Sequence, residues 1–246
     1  MKLRIPLFFG LALLLAALLG HADPAAYFAK EIHGQVVDDV SGEPLEGVII
    51  VAKWELVREV IPFVINKSYG ETIKIIEVKS DKEGKYLIPG WGPVLRPLLL
   101  HLEDDDPEIY YFRPGYYPLS VSNEARSQYS RDAVRTSQWA GKTIRLRKFT
   151  GQPQEYVFQN GRFKVDVRTD GTLKEYALKV QGIQGGLAWD KKDKSWQSMP
   201  RFIVAMKHEC DRLRSLMSKR ECPIDDIKHL WGGEKTVNEF IKEYEK

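Results

Sequence analysis

Two stretches of this sequence decide the fold: Gly34-Gln35-Val36-Val37-Asp38 and Ser80-Asp81-Lys82-Glu83-Gly84-Lys85-Tyr86-Leu87-Ile88-Pro89-Gly90. The second stretch begins with a tight turn, because Asp81 can accept backbone N–H groups and Gly84 can adopt a positive φ. Tyr86 and Ile88 then lie on one face of an extended segment, since side chains in a strand alternate between faces. The pattern predicts a β-hairpin with a buried face.

A longer strand lies between these two stretches, and both of its faces are informative. One face is apolar with a period of two and consists of Val48, Ile50, Ala52, Trp54 and Leu56. The other face begins with Ile49 and Val51 and becomes charged at Lys53 and Glu55. A sheet face in contact with water should be polar throughout. We therefore expect another part of the chain to cover Ile49 and Val51, and the C-terminal region is the expected cover.

The segments around this strand are also mainly strand-like. Residues 73–78 are rich in β-branched side chains, and residues 109–112 and 117–121 form strand patterns on either side of a Pro-Gly turn. Ile144 and Leu146 alternate with arginines, which is typical of a charged edge strand. We expect a mobile leader over residues 23–30, a Pro- and Gly-broken loop over 91–97 and a polar surface excursion over 122–138.

The character of the sequence changes after Gly151. Asn160-Gly161 predicts a hairpin, and a capping pattern after Thr172 predicts a short helix that ends at Gly182. Ser198 can cap a further helix with Pro200 in its first turn. Its predicted buried stripe comprises Ile203, Met206, Cys210, Leu213 and Met217. Two shorter helical pieces are expected at residues 224–231 and 237–244.

These patterns predict a mainly β protein with a helical C-terminal part. The expected units are a β-sandwich over residues 31–150, a hairpin and short helix over residues 151–197, and a helical segment over residues 198–246.

The first 22 residues read as a secretory signal peptide. Lys2 and Arg4 precede an apolar run over residues 5–19, and small residues stand before a cleavage point after Ala22. The run is shorter than the roughly 20 apolar residues of a membrane span, although an uncleaved anchor remains the alternative. We therefore expect an exported protein, periplasmic or secreted, with no membrane span after the signal is removed.

The charge of the mature chain argues against a nucleic-acid partner. Residues 1–22 hold two of the 37 basic residues and none of the 34 acidic ones, so the net charge falls from +3 to +1. Nucleic-acid-binding domains usually carry a clustered excess of Lys and Arg. The expected partner is a protein or another envelope component.

The two cysteines, Cys210 and Cys222, both lie near the C-terminus. Export to an oxidising compartment favours a disulfide between them. In the chain-entropy account, closing such a short loop stabilises the fold by roughly 3 kcal/mol. Two buried free thiols are the alternative.

The motifs of the sandwich region resemble the carboxypeptidase regulatory-like domain. The residues that carry the resemblance are Gly34-x-Val36-x-Asp38, Gly42-x-Pro44-Leu45-x-Gly47-Val48, Asp81-x-x-Gly84-x-Tyr86-x-Ile88 and Pro114-Gly115-Tyr116. The resemblance covers residues 31–149 and implies a transthyretin-like β-sandwich, related to collagen-binding B-type repeats. Such domains accompany peptidases, outer-membrane receptors or adhesins as folding or binding accessories. The overall layout is similar to small exported bacterial proteins that add a C-terminal helical segment. The sequence shows no peptidase domain beside the sandwich, so the resemblance implies no peptidase activity.

The sequence offers little reaction chemistry. It contains no His-Glu-x-x-His pattern for zinc and no Gly-x-Ser-x-Gly nucleophile turn. The acidic run Glu103-Asp104-Asp105-Asp106 lacks the ligand spacing of a calcium loop, so a solvated loop is expected. His208-Glu209-Cys210 is interpreted as a surface histidine beside a buried or bridged cysteine. We expect no catalytic residues, no metal and no cofactor.

Three functional hypotheses follow. The leading one is a non-enzymatic exported protein that binds or assembles components of the cell envelope. The second is a hydrolase with a composite site between the sandwich and the helical segment. The third is a carbohydrate-binding module in which Trp91, Tyr116 and Tyr117 stack against sugars.

Overall fold

A computed structural model describes residues 24–58, 68–97, 100–103, 105–124, 132–150, 168–170, 198–214 and 237–244. The sequence predictions that fall outside these ranges include the signal peptide, the hairpin at residues 160–161, the helix after residue 172 and the helical piece at residues 224–231.

The described residues form mostly strands. The strands are β1 (Ala26–Ala29), β2 (Ile32–Asp38), β3 (Ile49–Arg58), β4 (Ser68–Lys79), β5 (Lys85–Ile88), β6 (Trp91–Leu95), β7 (Leu100–Leu102), β8 (Glu108–Phe112), β9 (Leu119–Val121), β10 (Val134–Arg135), β11 (Lys142–Leu146) and β12 (Arg168–Asp170). Two helices follow, α1 (Pro200–Arg214) and α2 (Val237–Tyr244). The prediction of a mainly β fold with a helical C-terminal part is confirmed.

The strands form two layers. One layer is a sheet in the order β12-β9-β8-β3-β4, with β7 also paired to β3. The other layer consists of two three-stranded sheets, β11-β2-β5 and β10-β1-β6. These two sheets lie end to end, because β1 leads into β2 and β5 leads into β6 after two residues each. The arrangement is a β-sandwich.

The core between the layers contains the predicted face of β3. Val48, Ile50, Ala52, Trp54 and Leu56 are all buried there, which confirms the period-two pattern. Tyr86 of β5 and Tyr111 of β8 join the two layers through a hydrogen bond of 2.7 Å between their hydroxyls. Burial raises the pKa of both phenols, so this pair is neutral and fixes the layers relative to each other.

The turn after β4 has the predicted chemistry, but it joins two sheets. Asp81 Oδ1 accepts the N–H groups of Glu83 and Lys85, at 3.0 and 2.7 Å. Gly84 has φ +70°, and a side chain there would collide with the carbonyl of Val36. The prediction of a paired hairpin is wrong, because β4 pairs with β3 whereas β5 pairs with β2. The chain crosses from one layer to the other at this turn.

Two segments predicted to be irregular are strands. The expected mobile leader contains β1, which pairs with β6 and β10 and buries Tyr27 to 1% exposure. The expected loop at residues 91–97 contains β6. Pro93 is tolerated there because β6 lies at the end of its sheet, where a missing N–H costs no ladder hydrogen bond. Non-local pairing overrode the local signals in both cases.

The remaining strand predictions hold with small changes. The pattern at residues 109–112 corresponds to β8, and that at 117–121 corresponds to the shorter β9. β11 lies at the end of its sheet, where Ile144 and Leu146 are buried and Arg145 is exposed, as expected for a charged edge. The polar excursion at residues 122–138 includes β10, which runs parallel to β1. Helix α2 confirms the prediction for residues 237–244.

Candidate functional site: the helix-covered sheet face and the Arg–Tyr corner

Helix α1 packs against the outer face of the β3–β8 sheet. Ile49 and Val51 are 6% and 0% exposed on that face, although they point away from the core of the sandwich. The ring of Phe202 lies 5.5 Å from that of Phe112, which is the register partner of Ile49. The prediction that the C-terminal region covers this face is confirmed. Among the described side chains of the helical segment, the buried ones are Met199, Phe202, Ile203, Met206 and Glu209.

The first turn of α1 is held by a carboxylate from strand β4. Glu77 accepts the N–H of Arg201 at 3.1 Å and the N–H of Phe202 at 2.7 Å. These groups have no partner within the helix itself. Pro200 lies in the first turn of the helix, as predicted. Ser198 was expected to cap this turn, but the acceptor of these two N–H groups is Glu77. Burial raises the pKa of Glu77, and the two N–H groups oppose that rise.

A second carboxylate ties α1 to the turn between β8 and β9. Glu209 is 1% exposed, and its Oε1 accepts the N–H of Gly115 at 2.9 Å. Arg212 donates to both oxygens of Glu209, at 2.7 and 2.8 Å. The neighbouring His208 is exposed, as expected. The sequence analysis treated Glu209 only as part of the fragment His208-Glu209-Cys210, and it did not predict the contact of Glu209 with Gly115.

Lys53, on the charged part of the outer sheet face, is buried as well. Lys53 is 2% exposed and its Nζ lies 2.5 Å from Oε1 of Glu55. Glu108, the register partner of Lys53, accepts a hydrogen bond from the hydroxyl of Tyr110. A buried lysine needs a partner of opposite charge to offset its desolvation, and the adjacent carboxylate supplies it.

Asp106, at the end of the acidic run, is part of the fold. The expectation of a solvated loop is wrong for Asp106, which is 4% exposed and accepts the N–H of Glu55 at 2.8 Å. Asn123 donates to the carbonyl of Asp106 at 2.7 Å. Burial raises the pKa of Asp106 well above its usual value, and the nearby carboxylates of Asp105, Glu55 and Glu103 add to the rise.

The three aromatics proposed as a sugar platform occupy two places. Trp91 lies in β6 and packs edge-on against the core residue Trp54, with ring centroids 5.4 Å apart. Tyr116 and Tyr117 lie together in the connection between β8 and β9. The described contacts place Trp91 against the core and the two tyrosines against arginines. Their role as sugar-stacking residues stays a prediction.

Tyr116 lies between a cation and a carboxylate. The guanidinium of Arg113 is 5.2 Å from the centre of its ring, and its hydroxyl donates to Oδ2 of Asp38 at 3.0 Å. The same carboxylate accepts the N–H groups of Val40 and Ser41 through Oδ1, both at 2.9 Å. These hydrogen bonds hold the pKa of Asp38 below its usual value.

Tyr117 carries a second stacked arginine. The guanidinium of Arg147 is 4.4 Å from the centre of its ring, and the ring of Phe149 lies 5.1 Å away, edge-on. Backbone hydrogen bonds hold the two segments together, since Tyr117 donates to Arg147 and Phe149 donates to Gly115, at 2.9 and 2.8 Å. We call Arg113, Tyr116, Tyr117, Arg147 and Lys148 the Arg–Tyr corner. Sequence reasoning found the tyrosines, but it treated Arg147 as an edge charge and overlooked Arg113.

The contacts described above do not test the predictions about the cysteines, a metal ion or a membrane span. Cys222 and the side chain of Cys210 lie outside the described residues, so the disulfide stays a prediction. Among the residues that the structure describes, no group of three His, Cys, Asp or Glu side chains is placed to hold a metal ion. No helix in the same ranges combines the length and the apolarity needed to cross a bilayer.

Comparison with known proteins places no family on this chain. No family model matches the sequence, and no curated protein matches it. Solved structures match this chain at low similarity. The pilus 2b backbone protein of group B streptococcus has 16% identity and a TM-score of 0.26, over 50% of this chain and 42% of that one.

Two further solved structures are similar at the same level. Catechol 1,2-dioxygenase from Pseudomonas arvilla C-1 has 16% identity and a TM-score of 0.28, over 58% of this chain and 59% of its own. The C-terminal domain of the shaft pilin SpaA from Lactobacillus rhamnosus GG has 13% identity and a TM-score of 0.25, over 51% and 100%. At these scores the similarities do not bear on function. The β-sandwich rests on the strand order and core described above, and the carboxypeptidase regulatory-like family stays a prediction.

Proposed function

We propose that this chain is an exported, non-enzymatic protein of the cell envelope that binds or assembles other envelope components. One observation carries the proposal: three carboxylates of the described residues hold distant segments of the fold together. Glu77, Glu209 and Asp106 each accept a backbone N–H from a segment distant in sequence. Each of these carboxylates therefore joins two segments of the fold, which is a structural role.

The same observation weighs against a composite hydrolase site. Such a site would lie between the sandwich and the helical segment, where α1 packs on the sheet. That contact is made by apolar side chains such as Phe202 and Phe112, with Glu77 and Glu209 bonded to main-chain N–H groups at either end. A tightly packed contact of this kind suits a rigid scaffold that presents its outer surfaces to partners.

The expected location follows from the sequence. Residues 1–22 have the layout of a secretory signal, and the sandwich motifs resemble domains that act as accessories in exported and surface proteins. An exported scaffold with a net charge near zero suits a role in contact with proteins or glycans of the envelope.

Binding of the mature chain to the envelope of its own cells tests the proposal. Residues 23–246 would be labelled and titrated against isolated envelope and soluble fractions. We expect saturable, protein-specific binding to the envelope fraction, and no turnover of ester, phosphate or peptide reporter substrates. A heat-unfolded sample of the same chain serves as the control for non-specific adsorption. Absence of saturable binding, or turnover that a single substitution abolishes, would overturn the proposal.

A further inference from the structure

We propose that folding of the N-terminal strand protects the predicted cleavage point after Ala22, so that residues 1–22 can be removed only before β1 has docked in its sheet. This inference rests on the proposed export of the chain and concerns when its signal segment is cut. It starts from the short distance between the cleavage point and the first backbone groups that the fold holds. Asp23 is the one residue between Ala22 and Pro24, and Pro24 is already bonded to Arg96.

Arg96 holds two consecutive residues just after the cleavage point. Its Nε donates to the carbonyl of Pro24 at 3.0 Å, and its backbone N–H donates to the carbonyl of Ala25 at 2.9 Å. Its Nη1 also donates to the carbonyl of Leu100 at 3.3 Å, which fixes the guanidinium against β7. The second and third residues after the cleavage point are therefore tied to the sandwich.

Strand β1 begins directly after these residues and is held on both sides. Ala26 pairs with Leu95 of β6, and Phe28 donates its N–H to the carbonyl of Ala133 at 2.8 Å. Tyr27 is 1% exposed in the core. Because β1 is the middle strand of β10-β1-β6, it cannot leave the sheet without losing its pairing on both edges and exposing Tyr27.

A protease needs more free chain than the fold leaves. Proteases bind an extended segment of substrate and pair with its backbone on both sides of the bond that they cut. The carbonyls of Pro24 and Ala25 are already taken by Arg96, and two residues of extended chain span only about 7 Å. A protease that cuts after small side chains would therefore collide with β6 before it could enclose the bond between Ala22 and Asp23.

The order of cleavage and folding then decides the form of the protein. Cleavage before folding releases residues 23–246, whereas folding before cleavage keeps residues 1–22 attached. The apolar run ends at Leu19, five residues before Pro24, and such a segment spans at most about 18 Å. A folded chain that keeps the run would therefore be held close to the membrane that contains it. The cleaved signal and the uncleaved anchor are, on this proposal, two products of one sequence.

Cleavage of the full chain, residues 1–246, by purified signal peptidase in detergent tests the protection. One sample of urea-unfolded chain is diluted into buffer that contains the protease, and another is refolded before the protease is added. Mass spectrometry follows the appearance of chains that begin at Asp23. Cleavage of a folded substrate depends on the fraction of molecules in which the segment is open, so we expect the refolded sample to be cut at least about ten times more slowly than the refolding one.

Two variants test whether the proximity of the fold is the cause. Insertion of about eight Gly and Ser residues between Asp23 and Pro24 adds up to about 28 Å of chain, and should let the refolded protein be cut as fast as the refolding one. Arg96→Ala removes the hydrogen bond to Pro24 and leaves the backbone bond to Ala25, so cleavage of the refolded chain should rise about fivefold. Arg145→Ala removes an exposed arginine of β11 and is the control, with no change expected.

The outcomes separate the protection from the proposed function. Thermal unfolding of each variant checks that the fold is intact. Equal rates for the refolded and the refolding chain, or continued protection of the chain with the insertion, would overturn the protection while leaving the export signal and the proposed function standing. Absence of cleavage in every sample would contradict the cleavage point itself, and with it both the protection and the predicted export.

Discussion

Oε1 of Glu77 accepts the N–H of Phe202 at 2.7 Å, although the two residues are 125 positions apart in the sequence. The carboxylate lies on the outer face of strand β4, and the N–H belongs to the open first turn of α1. This hydrogen bond places the beginning of the helix over the sheet, while Glu209 fixes a later turn against Gly115. The sandwich and the helix are thereby joined at two points around an apolar contact.

Replacement of Glu77 by alanine should loosen the helix. The variant leaves the N–H groups of Arg201 and Phe202 without their acceptor, and loss of a helix cap costs about 1–2 kcal/mol. Urea denaturation of residues 23–246 measures this loss as a shift in the unfolding midpoint. Glu77→Gln is the matched control, because its amide oxygen can still accept a hydrogen bond, and it should lose less than the alanine variant. A larger loss in the glutamine variant would contradict the capping role.

Replacement of Phe202 by alanine should expose the covered sheet face. The ring is 1% exposed and packs on Phe112, and large-to-small changes at buried phenylalanines cost about 3–5 kcal/mol. We expect a lower melting temperature and new binding of an apolar dye. His208→Ala, on the exposed side of the same helix, is the control and should change neither. A Phe202 variant as stable as the unmodified chain would show that the helix contributes little to the fold.

Replacement of Asp106 by asparagine should stabilise the protein at neutral pH. Burial, aided by neighbouring carboxylates, raises the pKa of Asp106 in the folded state. The folded state therefore holds this proton more tightly than the unfolded state, and stability is lost as the pH rises through the folded pKa. Asparagine keeps an oxygen to accept the N–H of Glu55 but cannot ionise.

Melting temperatures of the Asp106 variant between pH 4 and pH 8 show whether its stability relative to the unmodified chain rises or falls with pH. We expect the gain over the unmodified chain to grow with pH and to vanish in acid. Asp81→Asn, at an exposed turn with a similar acceptor role, is the control for a general effect of charge removal. A loss of stability at pH 8 in the Asp106 variant would contradict the effect of burial on this carboxyl.

Alkylation of the two cysteines before and after reduction tests the predicted disulfide. Cys210 and Cys222 should both resist alkylation when residues 23–246 are produced in an oxidising compartment and purified without reductant, and both should be labelled after reduction. Mass spectrometry of the intact chain distinguishes zero from two added groups. Labelling of the unfolded chain without reductant would contradict the bridge and favour the alternative of free thiols.

The parts of the fold that could be predicted are those that depend on the pattern of neighbouring residues. The alternation of β3 identified its core face, and its apolar outer residues Ile49 and Val51 correctly indicated a cover from the C-terminal region. Pro200 marked the beginning of α1, and Asp81 and Gly84 marked a tight turn. Each of these depends on dihedral preference or side-chain alternation, which neighbouring residues determine.

The parts that failed depend on partners distant in the chain. β1 and β6 carry weak or contrary local signals and exist as strands because they pair with each other. The turn at Ser80–Gly84 joins two layers, since β5 finds its partner in β2. In the candidate site, the tyrosines could be named from the sequence, but the arginines stacked on them could not. The spacing of residues along the chain does not show which side chains will contact each other in the folded protein.

The sequence by itself determined a mainly β chain with a one-sided core pattern, a predicted signal segment and a C-terminal helix with an apolar stripe. Only the tertiary structure decided that Glu77 and Glu209 would clamp that helix to the sheet and that Arg113 and Arg147 would rest on Tyr116 and Tyr117. The physical reason is the distance along the chain over which each interaction acts. Alternation and turn preference act over a few residues, whereas a buried carboxylate or a stacked cation takes its partner from whichever segment the packing of the core brings within a few ångströms.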